Sequence, residues 1–154
     1  MISRMASQEI IPDPIKLAVD IFLKIKEEIK KPQKNKEKST MEETEELGSK
    51  LRARAREIPE LIESIGLVPA LSFCYAKAKG EGEDAKAYML YLKAILIYLI
   101  DELKLLDTSI DDALENPAET LEKLYSLSHV VVPLLRPFLI EFKRLCEATW
   151  VSIK

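Results

Sequence analysis

From Asp84 to Leu106 the chain carries apolar side chains around most of a helical circumference, and Lys86, Lys93 and Lys104 fall within about 20° of one another at 100° per residue. A helix with so narrow a polar line can be wetted along one edge only, so this segment predicts a central helix with others packed around it. The flanking sequence supplies those others. Ile15, Ala18, Val19, Phe22, Ile25 and Ile29 recur at three- and four-residue spacings and predict an amphipathic helix behind a short leader, residues 1–13, closed by Pro12 and Pro14. With only 4 glycines among 154 residues and a bias toward Leu, Ile, Ala, Lys and Glu, the chain lacks the turn residues of a β-rich fold. The expectation is a single all-α domain over residues 1–154, a compact bundle of about five to seven helices.

Residues 31–40 form a lysine-rich connector, with Lys34, Lys36 and Lys38 and no apolar side chain from Pro32 to Thr40. Thr40 and Glu43 have capping-box spacing and predict the start of a second helix, whose inward stripe is Leu47, Leu51, Ala55, Ile58, Ile62 and Ile65. Pro59 should kink that helix without ending it, and Gly66 should stop it. Leu67 and Pro69 open a third helix through Leu71, Phe73, Cys74 and Ala78, ending at the turn from Gly80 to Gly82. After the central helix, Ser109 with Asp112 predicts a short helix, and Asn116, Pro117 and Glu119 read as cap, first-turn proline and capping acid of another. Pro133 and Pro137 should bend or restart the chain before a last helix with Phe138, Phe142, Leu145 and Trp150.

The chemistry on offer is sparse. His129 is the only histidine, and there is no glycine-rich phosphate loop, nucleophile elbow or Cys and His pairing. Asp111, Asp112 and Glu115 sit at a short helix start, where acids act as caps. No catalytic residue, metal site or cofactor is expected, and the sequence reads as a non-enzyme. Cys74 and Cys146 lie among apolar residues on helical patterns and predict buried free thiols of a reducing compartment. The longest apolar run, Ala87 to Ile100, is broken by Lys93 and too short to span a bilayer, so a cytoplasmic protein with no membrane partner is expected.

A net charge of -3 gives no global attraction for nucleic acid, so any such contact needs a local patch. The densest cationic stretch is Lys50, Arg52, Arg54 and Arg56 on the second helix. On a helical wheel Arg52 and Arg56 share a face roughly opposite the apolar stripe, whereas Arg54 turns toward the stripe's edge near Lys50. These cations are either a solvated face paired with Glu45, Glu57, Glu60 and Glu63 or a phosphate-contacting patch. Lys77 and Lys79 on the third helix and Lys143 and Arg144 on the last are further RNA-contact candidates. Phe73, Tyr75, Tyr88, Tyr91 and Tyr98 read as packing residues rather than base-stacking platforms.

The run from Arg52 to Phe73 resembles the fifth-protein family of the Cmr machinery, the small subunit of type III-B CRISPR complexes. The likeness lies in the basic helix, in Pro59 followed by Leu61 and Ile62, and in the Gly66-Leu67 break leading to Leu71 and Phe73. Leu124 and Tyr125, followed by an amphipathic end with Phe142, Lys143, Arg144 and Ala148, are more loosely similar to the family's C-terminal helix. The first forty residues carry none of it. Two positions depart from the pattern: Pro133 and Pro137 stand where the family keeps a continuous helix, and Phe142 stands about where a tryptophan is expected. The resemblance implies a non-nuclease bundle that associates with other Cmr subunits, stacks with copies of itself, and flanks guide RNA and target RNA through weak phosphate contacts. The competing reading is a helical adaptor that binds a partner protein and has no RNA role.

Overall fold

The structure is a computed structural model and describes residues 13–31 and 41–152; residues 1–12 of the leader and residues 32–40 of the connector, with the Thr40 cap, lie outside the described residues. Six α-helices and one π-helical segment make up the described chain, with no strand. Helix α1 spans Pro14–Lys30, α2 Met41–Ile65, α3 Leu67–Ala78, α4 Gly82–Leu96, α5 Ile110–Glu115 and α6 Pro117–Thr149. The all-α expectation holds.

The helix starts follow local chemistry. Asp13 Oδ1 accepts the Ile15 N–H at 3.0 Å, and Pro14 in the first turn gives up a donor that had no helical partner. Gly66 separates α2 from α3 at φ 99°, a left-handed conformation that glycine adopts without a Cβ penalty. Ser109 caps α5 by accepting the Asp112 N–H at 3.0 Å. Asn116 occupies the N-cap position of α6 but does not cap it, because its side-chain amide instead donates back to the Asp112 carbonyl at 2.8 Å and closes α5.

The inward stripes are largely those the spacing predicts. Ala18, Phe22, Ile25 and Ile29 of α1 and Leu47, Leu51, Ala55, Ile58 and Ile62 of α2 are buried, whereas Ile15 and Ile65 at the helix ends are exposed and Ile21 joins the core. Helix α4 buries most of its circumference against α2 and α3, as a central helix should. Its one half-buried lysine, Lys93, leaves the core by pairing with Glu28 of α1 at 2.9 Å, and that ammonium holds the Glu28 carboxyl below its ordinary pKa.

Two expectations fail, and they fail together. The central helix does not continue to Leu106. It widens into a π-helix over Ile97–Glu102, ends there, and leaves Lys104 at φ 53°, off the line shared by Lys86 and Lys93. Conversely, α6 neither stops nor restarts at Pro133 and Pro137 but runs through both. Each proline removes the donor for the carbonyl four residues earlier, those of His129 and Pro133, and both of these residues are exposed, so water can reach that side of the helix. On the inner side Tyr98, set by the π segment, donates its hydroxyl to the Leu134 carbonyl at 2.8 Å and stacks on Phe138 at 4.2 Å. Because α6 is unbroken, it is by length and composition long and apolar enough to cross a membrane, unlike the shorter run the sequence singled out. Its buried side chains, Leu124, Val131, Leu135, Phe138, Phe142 and Cys146, are instead part of the bundle core.

Aromatic contacts tie α6 to the other helices. Phe142 meets Phe22 of α1 at 5.6 Å and Tyr91 of α4 at 5.8 Å, both edge-on, and Phe22 also meets Trp150 at 5.4 Å. The Trp150 indole lies over Gly48 of α2, in the space where a Cβ on residue 48 would stand. In an exposed helix Gly→Ala gains about 1 kcal/mol, but here the methyl displaces a buried ring. Gly48→Ala should therefore cost about 1–3 kcal/mol in urea unfolding followed by the fluorescence of Trp150, the sole tryptophan. A gain in stability would show that the indole does not seat against α2.

Candidate nucleic-acid interface

The four cations of α2 have different surroundings. Lys50 reaches Asp84 of α4 at 3.0 Å and is 22% exposed. Arg54, 20% exposed, lies 4.5 Å over the Tyr88 ring and pairs with Glu57 at 3.1 Å. Glu57 in turn accepts the Tyr88 hydroxyl at 3.1 Å, and burial is the main cause of a Tyr88 pKa raised to about 12. Arg54 is thereby part of the α2–α4 packing, as its position at the stripe's edge suggests. Its guanidinium already has a ring and a carboxylate as partners.

Arg52 and Arg56 do share a face, one turn apart, and both line a cleft of about 310 Å³ with Ser49, Glu57, Glu60 and Ser152. That face is not simply opposite the core, since the end of α6 closes over part of it. The Arg52 Nε, like that of Arg54, is buried with no hydrogen-bond partner, but Arg54 has the Glu57 carboxylate beside it and Arg52 has no carboxylate among the described residues; the Arg52 charge bears on Cys146 of α6. Arg56 is 58% exposed and reaches Glu147 of α6 at 3.8 Å, a loose pair. Glu63, expected to neutralise this stretch, instead pairs with Arg136 of α6 at 2.8 Å, which keeps its carboxyl below the ordinary carboxylate range.

The other candidates lie on α3 and α6 and do not line the cleft. Lys77 and Lys79 are exposed at the end of α3, with Lys77 5.5 Å from the Phe73 ring. On α6 Lys143 is half-buried, and Arg144 pairs loosely with Glu141 at 3.7 Å. Tyr75, Tyr88, Tyr91 and Tyr98 are buried and Phe73 packs partly against the core, so these rings are packing residues as expected. His129 is exposed. Among the described residues no three His, Cys, Asp or Glu side chains are grouped to hold a metal ion. Cys74 and Cys146 are free and buried; burial pushes the Cys74 thiol up to about 12 and raises Cys146 still more.

Sequence reasoning missed an apolar groove of about 210 Å³ between α2 and α6, lined by Pro59, Ile62, Val132, Leu135, Leu139 and Ile140 and flanked by the Glu63–Arg136 pair. Nearby Ile65 and Tyr125 are exposed. The signal was available in the apolar residues that α6 carries on more than one side, but a break assumed at Pro133 hid their common face.

The chain is similar to several known proteins. The family described as CRISPR-associated protein (Cas_Cmr5) matches residues 27–129, from the end of α1 into α6. The match begins ahead of the first residue at which the sequence resemblance was anchored and stops before Phe142. The CRISPR system CMR subunit Cmr5 of Saccharolobus solfataricus is 30% identical over 122 residues, covering 64% of this chain and 78% of that protein. A chain of the type III-B Cmr-beta complex bound to non-cognate target RNA superposes with a TM-score of 0.75 at 22% identity, covering 92% of this chain and 99% of its own. A chain of the Cmr-beta complex bound to cognate target RNA and AMPPnP gives 0.72 at 22% identity, over 91% of this chain and 97% of its own.

The contrasting surroundings of the two inner arginines make a stability test. Arg54→Ala removes a cation–ring contact and an ion pair and should cost about 1–2 kcal/mol. Arg52→Gln removes a guanidinium that has neither a carboxylate nor a ring partner among the described residues and relieves its buried, unbonded Nε, and it should change stability by less than about 0.5 kcal/mol or raise it. Thermal unfolding of the two variants checks the order, and a larger loss at Arg52 would reverse the assignment.

Proposed function

Because the chain belongs to the Cas_Cmr5 family of CRISPR-associated proteins, we propose that it is the non-catalytic small subunit of a cytoplasmic type III-B Cmr complex that targets RNA under guide RNA direction. In this role it joins other Cmr subunits, stacks with copies of itself and flanks guide and target RNA, with no membrane partner. The observation that carries the RNA contact is the presentation of Arg52 and Arg56 together at one open cleft of α2, inside the matched region. Guanidinium groups there can meet phosphate oxygens without reading bases. On a chain of net charge -3, two such side chains give weak affinity in isolation. Alignment of several copies along one RNA would raise that affinity through effective concentration. The exposed apolar strip on α2 and α6 supports a protein neighbour on a second side.

Two experiments test this reading. A tag on this protein should recover large Cmr subunits and CRISPR-derived guide RNA from the native host; other partners without guide RNA would leave a helical adaptor. Arg52→Glu with Arg56→Glu should leave the assembled complex intact. It should also weaken target RNA binding and flatten its salt dependence, because each lost phosphate contact takes about one unit from the slope. Unchanged RNA affinity and slope in an intact complex would remove this face from the RNA path.

A further inference from the structure

Three of the four cations on this stretch of α2 have a carboxylate: Lys50 has Asp84, Arg54 has Glu57, and Arg56 has Glu147 at the longest of the three distances. Arg52 has no such pair among the described residues; its Nε, like that of Arg54, is shut away from water with no hydrogen-bond acceptor, so what sets Arg52 apart is the missing carboxylate. A buried N–H without an acceptor is costly, and the rest of this guanidinium faces the cleft with no carboxylate paired to it. Trp150 lies over Gly48 one turn earlier, and Ser152, just beyond the end of α6, closes one wall of the cleft. Ser49 is buried on the near wall. Of the acids on the cleft, Glu57 is held by Arg54 and the Tyr88 hydroxyl, which leaves Glu60, exposed and one turn beyond Arg56, at the outer margin.

The geometry points to the cleft between α2 and Ser152, in the segment that follows α6, as a binding site for one phosphoryl group, held between the guanidinium groups of Arg52 and Arg56 with Ser49 beside them. A tetrahedral oxyanion supplies the missing negative charge. It also accepts two parallel N–H bonds from the planar edge of a guanidinium. Drawing the Arg52 head outward gives its Nε an acceptor in the same movement, and Arg56 exchanges a loose carboxylate for a closer anion. The site recognises the phosphoryl group itself, so inorganic phosphate and a phosphodiester in a nucleic-acid backbone are its two possible sources. This inference deepens the RNA-contact reading above, from a basic face to a single-phosphate clamp, and rests on it for the second source only.

The test is a titration of the isolated full-length protein with inorganic phosphate and, separately, with a short oligouridylate, at ionic strength held constant with chloride. The readout is the arginine Nε–Hε resonances in a nitrogen-edited spectrum. The Arg52 and Arg56 signals should move and saturate with phosphate, while the paired Arg54 signal stays. Arg52→Gln should weaken the phosphate response about tenfold, the loss of one charge-assisted donor pair. Arg52→Lys, which keeps the charge and loses the fork, should recover part of it. Saturation by both ligands assigns the site to a backbone phosphate, and saturation by phosphate alone assigns it to the free anion; either supports the clamp. Absence of saturation with both ligands, or equal shifts at all arginines, would overturn it. The wild-type resonances carry the result even if a variant fails to fold. Because no complex is involved, failure here leaves the subunit reading untouched, and failure of co-purification leaves the clamp untouched.

Discussion

Phe142 is the point on which the arrangement of helices depends. Its ring is fully buried on α6 and meets α1 through Phe22, α4 through Tyr91 and its own helix through Phe138. Edge-on and offset contacts of this kind contribute about 0.5–1.5 kcal/mol each beyond area burial, and they are directional where aliphatic packing is not. They fix the rotation of α6 about its axis. Once that rotation is set, Trp150 falls on Gly48, the end of α6 closes over Arg52, and Arg136 reaches Glu63. The cleft is therefore a consequence of core packing rather than of any residue on its rim.

Much of the fold was legible in periodicity, and the exceptions have physical causes. The stripes of α1 and α2 and the Gly66 break depend on local spacing and backbone freedom, which one segment carries by itself. The end of the central helix does not. Ile97 to Leu106 is apolar enough to continue a helix, but Tyr98 also has a stacking partner and a carbonyl acceptor on α6, and a π segment is the winding that meets both. Pro133 and Pro137 were misleading for the reciprocal reason. The cost of a helical proline is that of the unpaired carbonyl, and here the carbonyls of His129 and Pro133 belong to exposed residues.

The candidate site was legible one residue at a time and not as a surface. A helical wheel of α2 places Arg52 beside Arg56 and sets Arg54 apart, and both placements hold. What it cannot contain is the wall contributed by Ser152, distant in sequence, which turns an apparent solvent face into a cleft. Partner choice fails in the same way: Glu63 lies near the arginines along the chain, but Arg136 is the cation its side chain meets. Lys77, Lys79, Lys143 and Arg144 were named as further candidates by charge alone, a property that carries no direction.

The two buried cysteines have a practical bearing. A thiol reacts through its thiolate, and burial holds both Cys74 and Cys146 in the protonated form far above neutral pH. Both native thiols should therefore react slowly with maleimides, and a cysteine introduced on an exposed helix face should be the fast-reacting handle. Fluorophores or spin labels could then be placed without first building a cysteine-free background, and the packing around Tyr91 and Phe142 would be left intact.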